Sequence, residues 1–221
     1  MDRPGIVRAL KRRLRRVPGF YPVTDWLLRR RDEQAGREWA HTGRPVPPPH
    51  AIKQQNLRDH GRRYGLRILV ETGTARGDMI QAMIDSFDRI ISIELSDELF
   101  ANAQWRFRRA GKVELLHGDS GAMLGEVVPN LAGPALFWLD GHYSAGMTAL
   151  GEKSTPIYDE LEHVLRSPER GHVIVIDDAR LFGTDPDYPT FAELEAFVRA
   201  RRDDLEVALG DDDSIRVTPR A

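Results

Sequence analysis

The chain has 221 residues, with 32 Lys and Arg, 34 Asp and Glu and no cysteine. That length suits one α/β domain with a full core and an appendage, and is short for two domains. Without cysteine, disulfide frameworks and thiolate metal centres are excluded, so a metal would be held by oxygen or nitrogen.

The net charge of −2 hides an asymmetry, because residues 1–31 carry +8 and the remainder −10. In "RALKRRLRRV" and its flanks, Ile6, Val7, Leu10, Leu14 and Val17 recur at helical spacing against a face of Arg and Lys. Such a helix suits a membrane surface or an acidic partner, reached through residues 3–31. It equally suits the protein's own acidic body or a second copy, which would make a homodimer. No apolar run has the length of a secretory signal or a membrane span, so the expected location is the cytoplasm. The stretch "RPVPPPH", residues 44–50, cannot continue a helix. It divides an N-terminal segment, residues 1–50, from a domain expected over 51–221.

Within that domain the pattern alternates. A helix over 51–63 precedes strand "RILVE" (67–71), a helix from near Gly77, strand "RIISIE" (89–94) and a helix capped by Ser96. Strand "KVELLH" follows, then a helix from Asp119 to about Val128, strand "ALFWLD" (135–140), a loop, a helix over 155–166 and strand "HVIVID". A helix over 190–202 and the runs "LEVAL" and "SIRVT", spaced as a hairpin, complete the chain. Short apolar runs between amphipathic helices predict a doubly wound, mostly parallel, seven-stranded Rossmann-like sheet, with helices on both faces and an antiparallel edge strand from the hairpin.

Such a sheet binds ligands at the carboxyl ends of its strands. Five successive strand ends carry an acid there: Glu71, Glu94, Asp119, Asp140 and Asp177. After the first strand, "ETGTARGD" places Gly73 and Gly77 in a tight strand-to-helix turn. The dinucleotide fingerprint would need glycine at Ala75 and Asp78, and the phosphate-cradling GxxxxGK[ST] pattern is absent. A carboxylate beside the turn repels a pyrophosphate and suits an ammonium or a sulfonium.

These residues resemble class I S-adenosylmethionine-dependent methyltransferases over about residues 65–218. The resemblance implies that Glu71, Gly73, Thr74 and Gly77 form the first cofactor motif, and that Glu94, with Leu95 beside it, holds the ribose hydroxyls. Asp119 and Ser120 would line the adenine, and Asp140 would close the cofactor site. An acid ending the fourth strand and "IDD" ending the fifth are most similar to the macrocin-type sugar O-methyltransferases. In that family acids at these places bind Mg²⁺, which implies a site for Mg²⁺ or another hard divalent cation at Asp140, Asp177 and Asp178. Where that group commonly has Asp-Gly-Asp, this chain has Asp140-Gly141-His142-Tyr143.

The expected reaction is transfer of a methyl group to a hydroxyl of a small-molecule or glycan acceptor, with no nucleic acid as partner. Asp140 and His142 are the candidate catalytic groups, the imidazole having an ordinary pKa near neutrality. Tyr143 and Lys153, in a long loop, are candidate acceptor contacts, and Arg180 and Tyr188 lesser ones. The same carboxylates would also serve a metal-dependent hydrolase, and the fold would also serve a non-catalytic protein binding a partner through its basic helix. One obstacle is local: neighbours on a strand point to opposite faces, which would separate Asp177 from Asp178.

Overall fold

The computed structural model describes residues 34–140 and 155–220. The basic helix expected within residues 1–31, and His142, Tyr143 and Lys153, lie outside the described residues. After a helical stretch over residues 34–41, the Trp39 indole N–H donates to the Pro45 carbonyl at 2.6 Å, tying the helix to the proline-rich segment.

The domain then alternates as the periodicity predicts: α1 (His50–Arg63), β1 (Ile68–Thr72), α2 (Asp78–Met83), β2 (Arg89–Glu94), α3 (Asp97–Phe107) and β3 (Val113–His117). It continues with α4 (Ser120–Val127), β4 (Ala135–Leu139), α5 (Ile157–Leu165), β5 (Val173–Ile176), α6 (Phe191–Arg199), β6 (Leu205–Leu209) and β7 (Ile215–Pro219). Side chains at three helix starts act as caps. Ser96 accepts from the Leu99 N–H, Asp119 from the Ala122 N–H, and Thr190 and Glu193 form a reciprocal capping box.

All seven strands lie in one sheet of order β3-β2-β1-β4-β5-β7-β6. The first five are parallel, and β7 runs antiparallel between β5 and the outermost β6. β1 and β4 are buried at every position, whereas the edge strands β3 and β6 are partly exposed, which is why only the central runs read as continuous apolar blocks.

Alternation along the strands feeds two cores. On one face, Val70, Ile91, Phe137 and Ile174 pack with Leu124 of α4, Leu161 of α5 and Leu194 of α6. On the other, Leu69, Ile90, Trp138 and Val175 pack with Leu57 of α1, Ile80 of α2 and Phe107 of α3. The order reverses direction at β1, between β2 and β4. The carboxyl ends of these three strands therefore frame a crevice.

One packing contact fixes the shape of that crevice. Gly77, at φ +73°, enters α2 in a left-handed conformation, and a β-carbon there would overlap the Phe107 ring. Gly77→Ala should therefore cost about 2–4 kcal/mol from left-handed strain and overpacking. Urea unfolding checks this, and part of the loss should return in the Gly77→Ala, Phe107→Leu double variant because the smaller side chain relieves the overlap.

Candidate active site

The turn after β1 is built from backbone bonds to β2. The N–H groups of Gly73 and Thr74 both donate to the Ile93 carbonyl, at 3.0 and 3.2 Å, and Gly73 and Ala75 take positive φ. Glu94, at the end of β2, faces this turn: one carboxylate oxygen accepts the Ala75 N–H at 2.7 Å and the other the Ser96 N–H at 2.9 Å. Each of those oxygens keeps a second lone pair for a ligand hydroxyl. Leu95 follows, half-buried, and its carbonyl lies 3.2 Å from His117 Nε2. At the end of β3 the Gly118 N–H donates to the Glu94 carbonyl, which brings the half-buried Asp119 and the buried Ser120 beside the ends of β2 and β1.

Glu71 behaves differently from the rim acids. It lies inside β1 opposite Ser92 of β2 and is 2 % exposed. The Ser92 hydroxyl donates to its carboxyl at 2.5 Å and stands 2.6 Å from the Thr74 hydroxyl, so Glu71 reaches the glycine turn through two relayed side chains. Burial, opposed by the Ser92 hydrogen bond and reinforced by Asp140 and Glu94, pushes Glu71 up to about 8. It is a largely neutral acid at neutral pH.

Sequence patterning gives no sign of a further buried acid beneath the rim. Glu160, in the first turn of α5, is 2 % exposed and is hydrogen-bonded by Ser120 and Thr72, while its Oε1 has no hydrogen-bond partner among the described residues. Burial, with Asp119 and Asp140 nearby, raises it to about 7 against the pull of those two hydroxyls. The Thr72 hydroxyl also accepts the Asp140 N–H at 3.3 Å, so Glu160 and Asp140 share one support. Only its amphipathic position marks Glu160 in the sequence, and that position reads as ordinary helix surface.

Asp140, Asp177 and Asp178 come together as a triad whose ligand oxygens all lie within 4.8 Å of one another. The expected separation of Asp177 from Asp178 does not arise, because β5 ends at Ile176 and Asp178 turns left-handed at φ 56°, ψ 45°. The Asp178 N–H donates to Asp177 Oδ1 at 2.8 Å, which holds the reversal. Behind it, the Ala179 N–H donates to the Asp213 carbonyl and the Arg180 N–H to the Asp213 carboxylate, so the β6–β7 turn braces the end of β5.

Two cations lean on the triad. Lys53, from α1, places its Nζ 2.5 Å from Asp177 Oδ2 and 3.4 Å from Asp178 Oδ1. Arg180 lies 2.7 Å from Asp178 Oδ1 and also pairs with Asp213. Burial pulls Lys53 down, but Asp177 and Asp178 outweigh it and hold the ammonium above its ordinary value. Burial, then the charge of Asp140, push Asp177 up to about 7, opposed by Lys53. Lys53 lies 124 residues from Asp177 in an element with no motif of its own, so only the folded chain reveals the pair.

No family model and no curated protein matches the sequence. Among solved structures, an O-methyltransferase from Streptomyces achromogenes involved in tomaymycin synthesis, in complex with S-adenosylmethionine, superposes with a TM-score of 0.55 at 22 % identity, over 85 % of this chain and 88 % of that one. An O-methyltransferase from Bacillus cereus in complex with S-adenosylhomocysteine gives 0.58 at 16 %, over 86 % and 90 %. The fold is that of a class I methyltransferase. An S-adenosylhomocysteine-bound methyltransferase from Podospora anserina gives a TM-score of 0.54 at 13 % identity, with 100 % of this chain and 98 % of that one covered.

The raised pKa values of the buried acids make stability depend on pH. Glu71 and Glu160 both rise from 4.5, to about 8 and about 7. Between these limits the folded chain retains protons that the unfolded chain has released. Their contribution is therefore full below about pH 4.5 and is lost as pH rises through 7 to 8. Unfolding free energies of the metal-free protein should fall between about pH 5 and 8. The Glu71→Gln, Glu160→Gln double variant should reduce that slope, leaving the part contributed by Asp177, which is also raised to about 7.

Proposed function

We propose that the chain is an S-adenosylmethionine-dependent O-methyltransferase, assisted by a divalent cation and acting on a hydroxyl of a sugar, glycan or natural product. The observation that carries this reading is the placement of Glu94. Its two oxygens face the glycine turn and the start of α3, and the acid triad stands at the neighbouring strand ends on the same rim. The names of the Streptomyces and Bacillus relatives favour oxygen as the acceptor atom, and tomaymycin synthesis favours a natural product.

The residues present fit both groups. Glu94 has lone pairs for ribose hydroxyls, while Leu95, Asp119 and Ser120, which follow β2 and β3 on the same rim, would line the adenine. The surrounding carboxylates repel a pyrophosphate and attract a sulfonium and an ammonium. S-Adenosylmethionine supplies a methyl group already activated on a positive sulfur, so the chain has chiefly to align an acceptor and take up its proton. Three hard oxygen donors suit Mg²⁺, Mn²⁺ or Ca²⁺. When bound by Asp140, Asp177 and Asp178, such an ion supplies a lower pKa to an acceptor hydroxyl.

The protein's own part is then specific. Thr72 and the end of β1 orient Asp140, and the left-handed turn at Asp178 aims two successive carboxylates into one place. The proton that the acceptor hydroxyl gives up on methylation would go to the Asp140 carboxylate or to the imidazole of His142, two residues further along the sequence.

Calorimetry should show saturable binding of S-adenosylhomocysteine to the wild-type protein. Removing the Glu94 charge with Glu94→Gln should weaken it about 10- to 100-fold, the equivalent of one or two charged hydrogen bonds. Asp177→Asn should instead leave that binding nearly intact while abolishing methyl transfer to a hydroxylated acceptor. Undiminished cofactor binding in Glu94→Gln would contradict the reading.

A further inference from the structure

The triad already has a cation seated on it. The Lys53 side chain is 11 % exposed, and its ammonium contacts two of the three acids that a metal would need. Both Asp177 oxygens are already engaged once, Oδ1 by the Asp178 N–H and Oδ2 by Lys53, so a metal could reach Asp177 only through an oxygen it shares. On the far side, Arg180 takes Asp178 Oδ1. A divalent ion sharing Asp177 Oδ2 at an ordinary Mg–O length would lie within about 4.6 Å of the ammonium, without intervening solvent. With Arg180 on Asp178 Oδ1, four positive charges would then crowd Asp177 Oδ2 and Asp178 Oδ1, where burial keeps screening by salt weak.

We propose that Lys53 and a divalent ion are alternative occupants of the same carboxylate triad: the ammonium holds the acids together in the metal-free chain and leaves when the ion enters. This rests on the reading of Asp140, Asp177 and Asp178 as the metal site. The exchange needs a side-chain movement and no displacement of α1. That helix is anchored independently by Leu57 in the core and by Asn56, which donates to Asp212 and Ser214. Four flexible methylenes give Lys53 the reach to swing away. Lys53 is thus a positioning residue for the triad, preserving its geometry until the metal arrives and lowering the apparent metal affinity.

The wild-type protein offers a direct readout, because it has only four lysines: Lys11, Lys53, Lys112 and Lys153. Reductive methylation followed by mass spectrometry should label Lys53 slowly in EDTA and severalfold faster in saturating Mg²⁺. Lys112, which donates to the Phe87 carbonyl far from the triad, should be unaffected. In Lys53→Met, calorimetry should find Mn²⁺ bound about tenfold tighter than in the wild type, and the melting temperature in EDTA should fall. Equal or weaker Mn²⁺ binding in the variant, or Lys53 labelling indifferent to Mg²⁺, would overturn the exchange while leaving the metal site standing. No Mn²⁺ uptake by either protein would remove the metal site itself, and the exchange with it.

Discussion

Negative charge taken out of water at one end of a parallel sheet is the constraint on which this structure turns. Glu71, Glu94, Glu160, Asp177 and Asp178 are all nearly inaccessible, and Asp140 is half-buried among them. A buried carboxylate is tolerated only when protonated, hydrogen-bonded or paired, and the chain uses each remedy at a different residue. Burial raises Glu71 and Glu160 towards the protonated form, Glu94 gathers two backbone N–H groups, and Asp177 and Asp178 share Lys53 with Arg180 alongside. A site assembled at such expense has no packing rationale, since apolar side chains of similar volume would serve the core as well.

The same remedies connect the site to the fold. The reversal at Asp178 depends on Asp213 in the β6–β7 turn, and Lys53 depends on α1 being docked through Leu57 and Asn56. The antiparallel hairpin and the first helix, which lie outside the β1–β3 half of the sheet, therefore both brace the acids at the ends of β4 and β5. Gly77 plays the corresponding part on the other side, where its missing side chain lets Phe107 press against the turn that Glu94 caps.

Much of this was legible in the sequence because it is local. Each strand read from an apolar run lies within two residues of its observed bounds, and Ser96, Asp119 and Thr190 declare their helix starts by chemistry that acts over three residues. The ordered acids could be placed on one rim because parallel strands share a polarity. Three features were not legible. The turn that brings Asp178 beside Asp177 is a left-handed conformation at a non-glycine residue, stabilised from the distant Asp213. Lys53 and Glu160 are polar positions on helices whose significance comes only from what the fold sets against them. Glu71 reads from sequence as a ligand contact, yet its register opposite Ser92 sends its carboxyl to a hydroxyl relay beneath the turn.

Under the proposed function, the sheet's acidic rim receives a positively charged nucleoside beside a hard cation. Anomalous diffraction from crystals grown with S-adenosylhomocysteine and Mn²⁺ tests that most directly. A nucleoside with its ribose on Glu94 and a manganese peak enclosed by Asp140, Asp177 and Asp178 is the predicted result. A nucleoside bound away from Glu94, or manganese found only outside the triad, would contradict it.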